Sequence, residues 1–326
     1  MKIERGFTNS RVARRIVLLF VLCALVPIVA TAFLSYDHVR KLLLDRSYQH
    51  LAQLGESYAS TLYERLSGVA RLLRDATPAA GAPWPAARHL SARTELDAVA
   101  KIARDGKVTA LAGTLPPFAP LTDAEWRFLA RGEAALRTHA NAGGPATVLL
   151  AQAIDPERIA DGALIAAINP AYLWGEADAL PAFTDFTVLG PDGVLLFASQ
   201  GPPNALLAAL DRDPPASPNG RLIYPADDGA EVASYRELFL ESHFYVHGWT
   251  VVATRPESEV LAPIAAYKQS FLLATVLALL GIVLLSVSQI RRTLVPLERL
   301  IDGTRRAANK DFSVRVDVGG DDEFRE

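Results

Sequence analysis

Hydrophobic positions along the chain fall into three patterns: unbroken, helical and alternating. The unbroken blocks are Ile16 to Ser35 (IVLLFVLCALVPIVATAFLS) and Phe271 to Ile290 (FLLATVLALLGIVLLSVSQI). Each holds twenty residues without Asp, Glu, Lys or Arg. At ~1.5 Å per residue such a helix is ~30 Å long, the thickness of a bilayer's hydrocarbon core. The first block is longer than the apolar run of about 7–15 residues in a signal peptide, although Ala30 to Ala32 leaves a cleavage reading open. Arg291 and Arg292 close the second block. Both are predicted to span a membrane.

Helical periodicity appears next to each span. Residues 36–76 read as one long helix, free of proline, with Leu51, Leu54, Tyr58, Leu62, Leu66, Val69 and Leu73 on one face. Those positions take six steps over 22 residues, close to the helical repeat. The helix is read as a stalk that packs on its own domain and also pairs with a second copy; the alternative is a helix lying on its own domain alone. Beyond the second span, Leu294, Leu297, Ile301, Thr304 and Ala308 advance by 3, 4, 3 and 4 residues, the seam of a coiled coil. A span joined to such a seam with almost no linker is suited to passing on a shift or rotation.

Between the spans the pattern changes to strands. Residues 77–87 (TPAAGAPWPAA) end the long helix with three prolines. Residues 96–113 alternate on either side of Arg104-Asp105-Gly106-Lys107, a hairpin signal. Residues 121–140 are predicted as a helix, with Thr122 as N-cap and Glu125 at the capping-box position. Strands follow at 146–154 and 163–169, then a short helix or loop at 170–180. A second hairpin turns through Pro191-Asp192-Gly193 within 186–199, followed by a small helix at 204–210 and a loop at 211–220. Strands at 231–240 and 249–255 and a helix at 257–267 complete the segment. Two similar turns, each in a similar setting, predict two related α+β modules in tandem.

Charge adds orientation. The first fifteen residues carry five basic side chains against one acidic, and residues 291–326 begin with Arg291 and Arg292. The positive-inside rule therefore puts both ends in the cytoplasm and residues 36–270 outside. That outer segment has 27 acidic and 20 basic side chains, which argues against nucleic acid as a partner. The one cysteine, Cys23, lies in the first span, so an ordinary hydrophobic core must hold the outer domain.

The segments RDGKVTALAG, GALIAAINPAYL, LGPDGVLLFAS and GWTVVATRPESEVLAPI, in this order between two spans, resemble the extracellular part of bacterial Cache receptors. The resemblance implies an α+β PAS-like double Cache ectodomain with a long N-terminal helix; a single enlarged module stays open. LVPLERL with Pro296, the seam to Ala308, DFSVRVDV and Asp321-Asp322-Glu323-Phe324 resemble a HAMP domain up to the start of its second helix. The family's four-helix bundle needs that helix, so the resemblance implies the input half of a longer protein. The expected organisation is a cytoplasmic tail (1–15), a span (16–35), a periplasmic sensor (36–270), a span (271–290) and an incomplete HAMP domain (291–326). Within the sensor come the stalk helix (36–76), a distal module (77–180) and a proximal one (181–267).

No catalytic constellation, cofactor motif or metal site is predicted. There is no phosphate loop, no cysteine outside the membrane and no HExxH. His243 and His247 sit in a context that is strand-like or a turn, where that spacing would separate them by ~13 Å. Ser199 and Ser234 lack a nucleophile elbow. In a Cache pocket the cover would be residues 121–140 and 170–180. Arg127, with Arg131 as a second choice, would pair with a ligand carboxylate through its planar fork. Trp126, Tyr172 and Trp174 would form walls. The pattern of the amino-acid-binding subfamily is not found, so amino acids are not the favoured ligand. The resemblance implies a dimeric inner-membrane sensor in which Pro296, Leu297, Ile301, Thr304 and Ala308 relay the signal. GTRRAANKDFSVRV looks most like HAMP segments that precede cyclic-di-GMP turnover domains, with a histidine kinase as the runner-up. The rival is a membrane-anchored binding protein that does not signal. The charge pattern makes a direct prediction: a topology reporter fused after Gly220 should report the periplasm, and one fused after Ala308 the cytoplasm. Gly220 in the cytoplasm would overturn this architecture.

Overall fold

The computed structural model of the 326-residue chain describes residues 11–76, 93–139, 141, 146–175, 181, 183–227, 229–264, 269–286 and 288. A 65-residue helix, α1 (Arg11–Asp75), comes first. It is followed by β1 (Leu96–Ile102), β2 (Val108–Ala112), α2 (Asp123–Leu129), β3 (Ala134–His139), β4 (Thr147–Ala153), β5 (Ala163–Ile168) and α3 (Pro170–Trp174). Then come β6 (Asp185–Leu189), β7 (Leu195–Ala198), α4 (Asn204–Arg212), β8 (Asn219–Ala226), β9 (Gly229–Leu238), α5 (Glu241–Phe244), β10 (Trp249–Pro256) and α6 (Glu257–Val260). The last helix described, α7 (Ala262–Ser286), is separated from α6 by one residue. Two units form, one of them Leu43–Leu261; the other holds the beginning of α1 together with α7.

Within Leu43–Leu261 the strands make two antiparallel five-stranded sheets. Their orders are β2-β1-β5-β4-β3 and β7-β6-β10-β9-β8, the same arrangement displaced by five strands. Each module is thus a hairpin, a covering segment with a helix, and a three-stranded meander whose last strand returns to the centre. Two separate sheets decide between the double and the single-module expectation: Leu43–Leu261 holds two PAS-like sheets.

One face of each sheet packs on α1. Leu51, Leu62, Leu66, Val69 and Leu73 are fully buried, in one cluster with Val99, Leu136, Leu150, Leu164 and Ile168 of the first sheet and Phe186, Val188, Val232 and Val251 of the second. The apolar stripe read from the sequence is therefore consumed by the chain's own sheets. The positions between, such as Gln53, Glu56, Ser60 and Glu64, are polar and exposed. The opposite face of the first sheet carries a second cluster, around Trp126 and Leu129 of α2. The opposite face of the second carries Leu206 of α4 with Tyr224, Ala233 and Val252. With both faces covered, β5 is buried at every position and reads as an unbroken apolar run rather than an alternating one.

The modules also touch directly. The Ala146 N–H donates to the Leu196 carbonyl at 2.8 Å. Tyr245 packs on Phe128, and the His243 ring lies 3.2 Å from the Glu133 carboxylate.

Two expectations need correction. The helix predicted over 121–140 ends at Leu129, and residues 134–139 form β3, paired with β4 from Ala134↔Gln152 to His139↔Thr147. Gly132 is the reason: its φ of +82° turns the chain out of the helix, where glycine costs about 1 kcal/mol in any case. Ala134 and Leu136 then bury on one face of a sheet and Ala135 on the other, which no single helix face would do. Residues 219–220, predicted as loop, open β8, which was not predicted at all. It is an edge strand with Pro225, and only Tyr224 of its eight residues is buried, so its apolar signal is weak.

In the other unit the helices turn apolar side chains outward. Leu18, Leu22, Val26, Phe33 and Leu34 of α1 and Leu272, Leu277, Leu280 and Leu284 of α7 are all exposed. Both helices are long and apolar enough to cross a membrane. Pro27 stands inside α1 without ending it, as lipid-facing helices tolerate.

Because both sheets share the α1 stripe, they should unfold together. Leu62→Ala is expected to cost about 2–5 kcal/mol and to lower the melting of both modules in one transition, followed by circular dichroism. Ser60→Ala, on the exposed side, should stay within about 0.5 kcal/mol of the parent. Two resolved transitions in Leu62→Ala would show that the modules are independent.

Candidate ligand site

The cover of the first module is built around a capped helix. Thr122 is extended (φ −73°, ψ 160°), so its hydroxyl can accept the Glu125 N–H at 3.3 Å. The Glu125 carboxylate returns to the Thr122 N–H and hydroxyl, both at 2.7 Å. Arg137 of β3 then grips the same carboxylate through Nε at 2.7 Å and Nη2 at 2.6 Å, and donates to the carbonyls of Ala119 and Pro120. Burial pushes the Glu125 pKa up, but the hydrogen bonds from Arg137 and Thr122 together outweigh it and hold the carboxyl below its ordinary range. This fork ties α2 and the loop before it to the sheet. Underneath, the floor is made of small residues, Ala98, Ala100, Ala135, Ala151, Ala163 and Ala167. The space they leave is taken by Trp126, Leu121, Leu115 and Phe118 from the cover itself.

The four predicted ligand residues occupy different places. Trp126 points from α2 into that outer cluster. Arg127 is exposed, its Nε donating to the Asp123 carbonyl of its own helix at 3.3 Å. Trp174 belongs to the cluster on the α1 side, stacked on Phe197 at 5.3 Å and against Trp249 at 5.6 Å. Tyr172 is half-buried, with the Arg65 guanidinium 5.9 Å from its ring centre. Asn169 caps α3 by accepting the Ala171 and Tyr172 N–H groups, and Pro170 starts the helix. Helix α1 fixes α3 through Tyr58, which donates to the Trp174 carbonyl at 2.8 Å, and Arg65, which donates to the Leu173 carbonyl at 2.8 Å. The structure thus groups Trp126 with Arg127, and Tyr172 with Trp174, on opposite sides of the first sheet. Arg131 lies over the Phe128 ring at 4.6 Å. The relay residues Pro296, Leu297, Ile301, Thr304 and Ala308 lie outside the described residues.

The second module differs at the same face. Helix α4 covers only part of it, and a cavity of about 970 Å³ remains. Its floor is Leu189 of β6, Tyr235 and Glu237 of β9 and Thr250 of β10. Leu207, Leu210 and Asp211 of α4 form one wall, Pro214 to Pro218 another, and the Asp192 turn and His247 close the ends. Two glycines on either side of β9, Gly220 on β8 and Gly248 just before β10, make room for the floor. A Cβ at Gly220 would collide with the Tyr235 phenol, and one at Gly248 with the Glu237 carboxylate. The Glu237 N–H donates to the Pro218 carbonyl at 2.6 Å and anchors the loop. Sequence reasoning missed Tyr235, Glu237, Asp211 and Asp192, which come from separate segments with no common motif. The position of the two glycines opposite them becomes meaningful only once the strands are paired.

Residues 289–326 match the HAMP domain, beginning two residues before the expected boundary. A comparison with curated proteins returns no match. Among solved structures, Leu-bound and Arg-bound chemoreceptor domains are similar. The ligand-binding domain of the Pseudomonas fluorescens chemoreceptor CtaA in complex with L-leucine is 16% identical, with a TM-score of 0.49 over 69% of this chain and 99% of that one. That of the Pseudomonas aeruginosa PAO1 amino acid chemoreceptor PctB in complex with L-Arg is 14% identical, with a TM-score of 0.49 over 67% and 98%. That of the Campylobacter jejuni chemoreceptor Tlp3 in complex with L-norvaline is 12% identical, with a TM-score of 0.44 over 67% and 94%.

The Glu125 fork sets a pH dependence. A carboxyl whose folded pKa is lowered stabilises the fold above its unfolded pKa and loses that contribution as pH falls through the folded one. Glu125→Gln should therefore be less stable than the parent at neutral pH, and the gap should close as pH drops below the ordinary value of 4.5. Asp185, raised by burial and by Glu231, titrates with the opposite sign in both proteins and cancels from the comparison. Arg137→Ala, which strands a buried carboxylate, should cost about 3–5 kcal/mol. A gap that persists at pH 3 would show that the pair contributes by packing, not charge.

Proposed function

We propose that this chain is the sensing half of a dimeric receptor of the bacterial inner membrane, with its two-sheet domain in the periplasm. The observation that carries the reading is connectivity. Strand β10 lies at the centre of the second sheet between β6 and β9, and continues through α6 into the apolar helix α7, after which the HAMP match begins at residue 289. Any rearrangement of the second sheet therefore acts on the strand that leads to the membrane. A small-molecule ligand works by binding two packings of sheet and cover with unequal affinity; equal affinity shifts nothing. For a carboxylate ligand, Arg127 is the proposed anchor. Its guanidinium is exposed, and Trp126 beside it joins α2 to the sheet. Tyr172 and Trp174 serve on the other face, between α3 and α1.

The receptor needs no catalytic residue of its own. Its output is a downstream cytoplasmic domain, of which cyclic-di-GMP turnover is the first choice and a histidine kinase the second. The polar outer side of α1 between Gln53 and Glu64 favours pairing of two copies through the membrane helices and the HAMP seam rather than through that stretch.

Register is the test. In a chimera joining this chain to the kinase of a HAMP-containing receptor, one residue inserted between Arg292 and Leu294 rotates the seam by ~100° relative to the span. Seven inserted residues drift by only ~20°. The single insertion should lock or abolish kinase control, and the seven-residue one should keep much of it. Identical behaviour of the two would replace relay by register with a flexible tether, as the non-signalling binding protein requires.

A further inference from the structure

The cavity of the second module has a charge of its own. Asp192, Asp211 and Glu237 line it, His247 stands at one end, and no Lys or Arg does. Among the described residues none of these three carboxylates takes part in a salt bridge, although Arg236, next to Glu237, pairs with Glu56 and Arg221 pairs with Asp45. The three come from different elements, a turn, a helix and a strand, and do not converge as metal ligands. Among the described residues no group of three His, Cys, Asp or Glu is placed to hold a metal ion. Between the carboxylates lie Leu189, Leu207, Leu210 and the Tyr235 ring. Separated negative charges around an apolar, aromatic space fit an ion whose charge is carried on a carbon body. Its N–H groups would form charge-assisted hydrogen bonds with the carboxylates, and its positive end would lie against the Tyr235 face. An anion would meet like charge on three sides.

The seating of the floor supports the same assignment. Gly248 and Gly220 give Glu237 and Tyr235 the space to lie flat across neighbouring strands, where a Cβ would displace them. The carboxylate and the ring are thus held facing the space that α4 leaves uncovered. In the first module the corresponding space is filled by Trp126, Leu121, Leu115 and Phe118. We propose that the second module binds a small organic cation, an amine on a short apolar body, in the cavity between α4, the Pro214 to Pro218 loop and strand β9. The site is separate from the Arg127 anchor and opposite to it in charge preference. On the receptor reading, an occupant bridging Asp211 and Glu237 would draw α4 toward the strand beside β10.

The probes are putrescine, n-butylamine and choline, titrated calorimetrically into the full chain in uncharged detergent at low ionic strength. At least one should bind saturably, and added salt should weaken it, since exposed charges are screened. Glu237→Gln and Asp211→Asn should each weaken that binding by roughly tenfold, the loss of one charge-assisted contact. Gly248→Ala should do the same by displacing the carboxylate. Glu157→Gln, an exposed acid in the first module, serves as the charge-matched control and should leave it unchanged. Melting curves establish that each variant is folded; Asp211 lies on the exposed end of α4, so its variant keeps the test available if Glu237→Gln does not fold. Saturation by none of the three amines, or equal affinity in the parent, Glu237→Gln and Asp211→Asn, would overturn the assignment. Binding is read without any output, so its failure leaves the relay reading standing. Failure of the register test likewise leaves this site standing.

Discussion

The structure depends on a single burial surface, the apolar stripe of α1 from Leu51 to Leu73. A five-stranded sheet whose apolar face is uncovered cannot stand alone in water, and each of these sheets has its apolar inner face closed by the same helix. The hydrophobic core is therefore shared by two modules rather than private to each. Tyr58 and Arg65 extend that role with directional bonds to the carbonyls of α3, at the end of the first module. Trp174 then reaches from there to Phe197 and Trp249 of the second. Removing α1 would leave two sheets joined by a few contacts, among them one backbone hydrogen bond and the His243–Glu133 pair.

The outer faces are where the two modules part company. They have the same strand order and the same place for a covering helix, yet one cover is clamped and the other open. In the first module, Arg137 binds the cap carboxylate and two loop carbonyls, and a tryptophan fills the hollow over an alanine floor. In the second, no such clamp appears among the described residues, and α4 rests on a small cluster around Leu206 and Val252. Each outer face has a hollow under its cover; what differs is whether the chain fills it with its own side chains. A filled hollow gives stability, and an open one offers a ligand somewhere to act. A cover held by few apolar contacts is also the cheaper one to move, because little buried surface has to be exposed.

Much of this was legible in the residues. The two charge-free blocks, the Leu51 to Leu73 stripe, the hairpins at Asp105-Gly106 and Asp192-Gly193 and the Thr122–Glu125 capping box are local patterns. Their physics is complete within a few turns of chain. The HAMP segment was readable for the same reason: its proline, seam and acidic start stand close together. Misreading began where a local pattern had two solutions. Residues 134–139 satisfy a helical pattern as well as a two-faced strand, and β8 has the composition of a loop. Pairing partners 3 to 18 residues away made the choice, Gln152 to Thr147 for β3 and Arg236 to Gly229 for β8.

Sequence alone thus determined which segments are apolar enough to cross a membrane, where the long helix runs and where the hairpins turn, since each rests on neighbours in the chain. Only the tertiary structure decided which aromatic residues share a face, and it put Trp126 and Trp174 on opposite sides of one sheet. It alone brought Asp192, Asp211, Tyr235, Glu237 and His247 around one cavity. The physical reason is that a site is a set of distances between segments, fixed by sheet register and by the helix both sheets pack on. A glycine such as Gly248 carries no message until the strand beside it shows whose carboxylate needs the space.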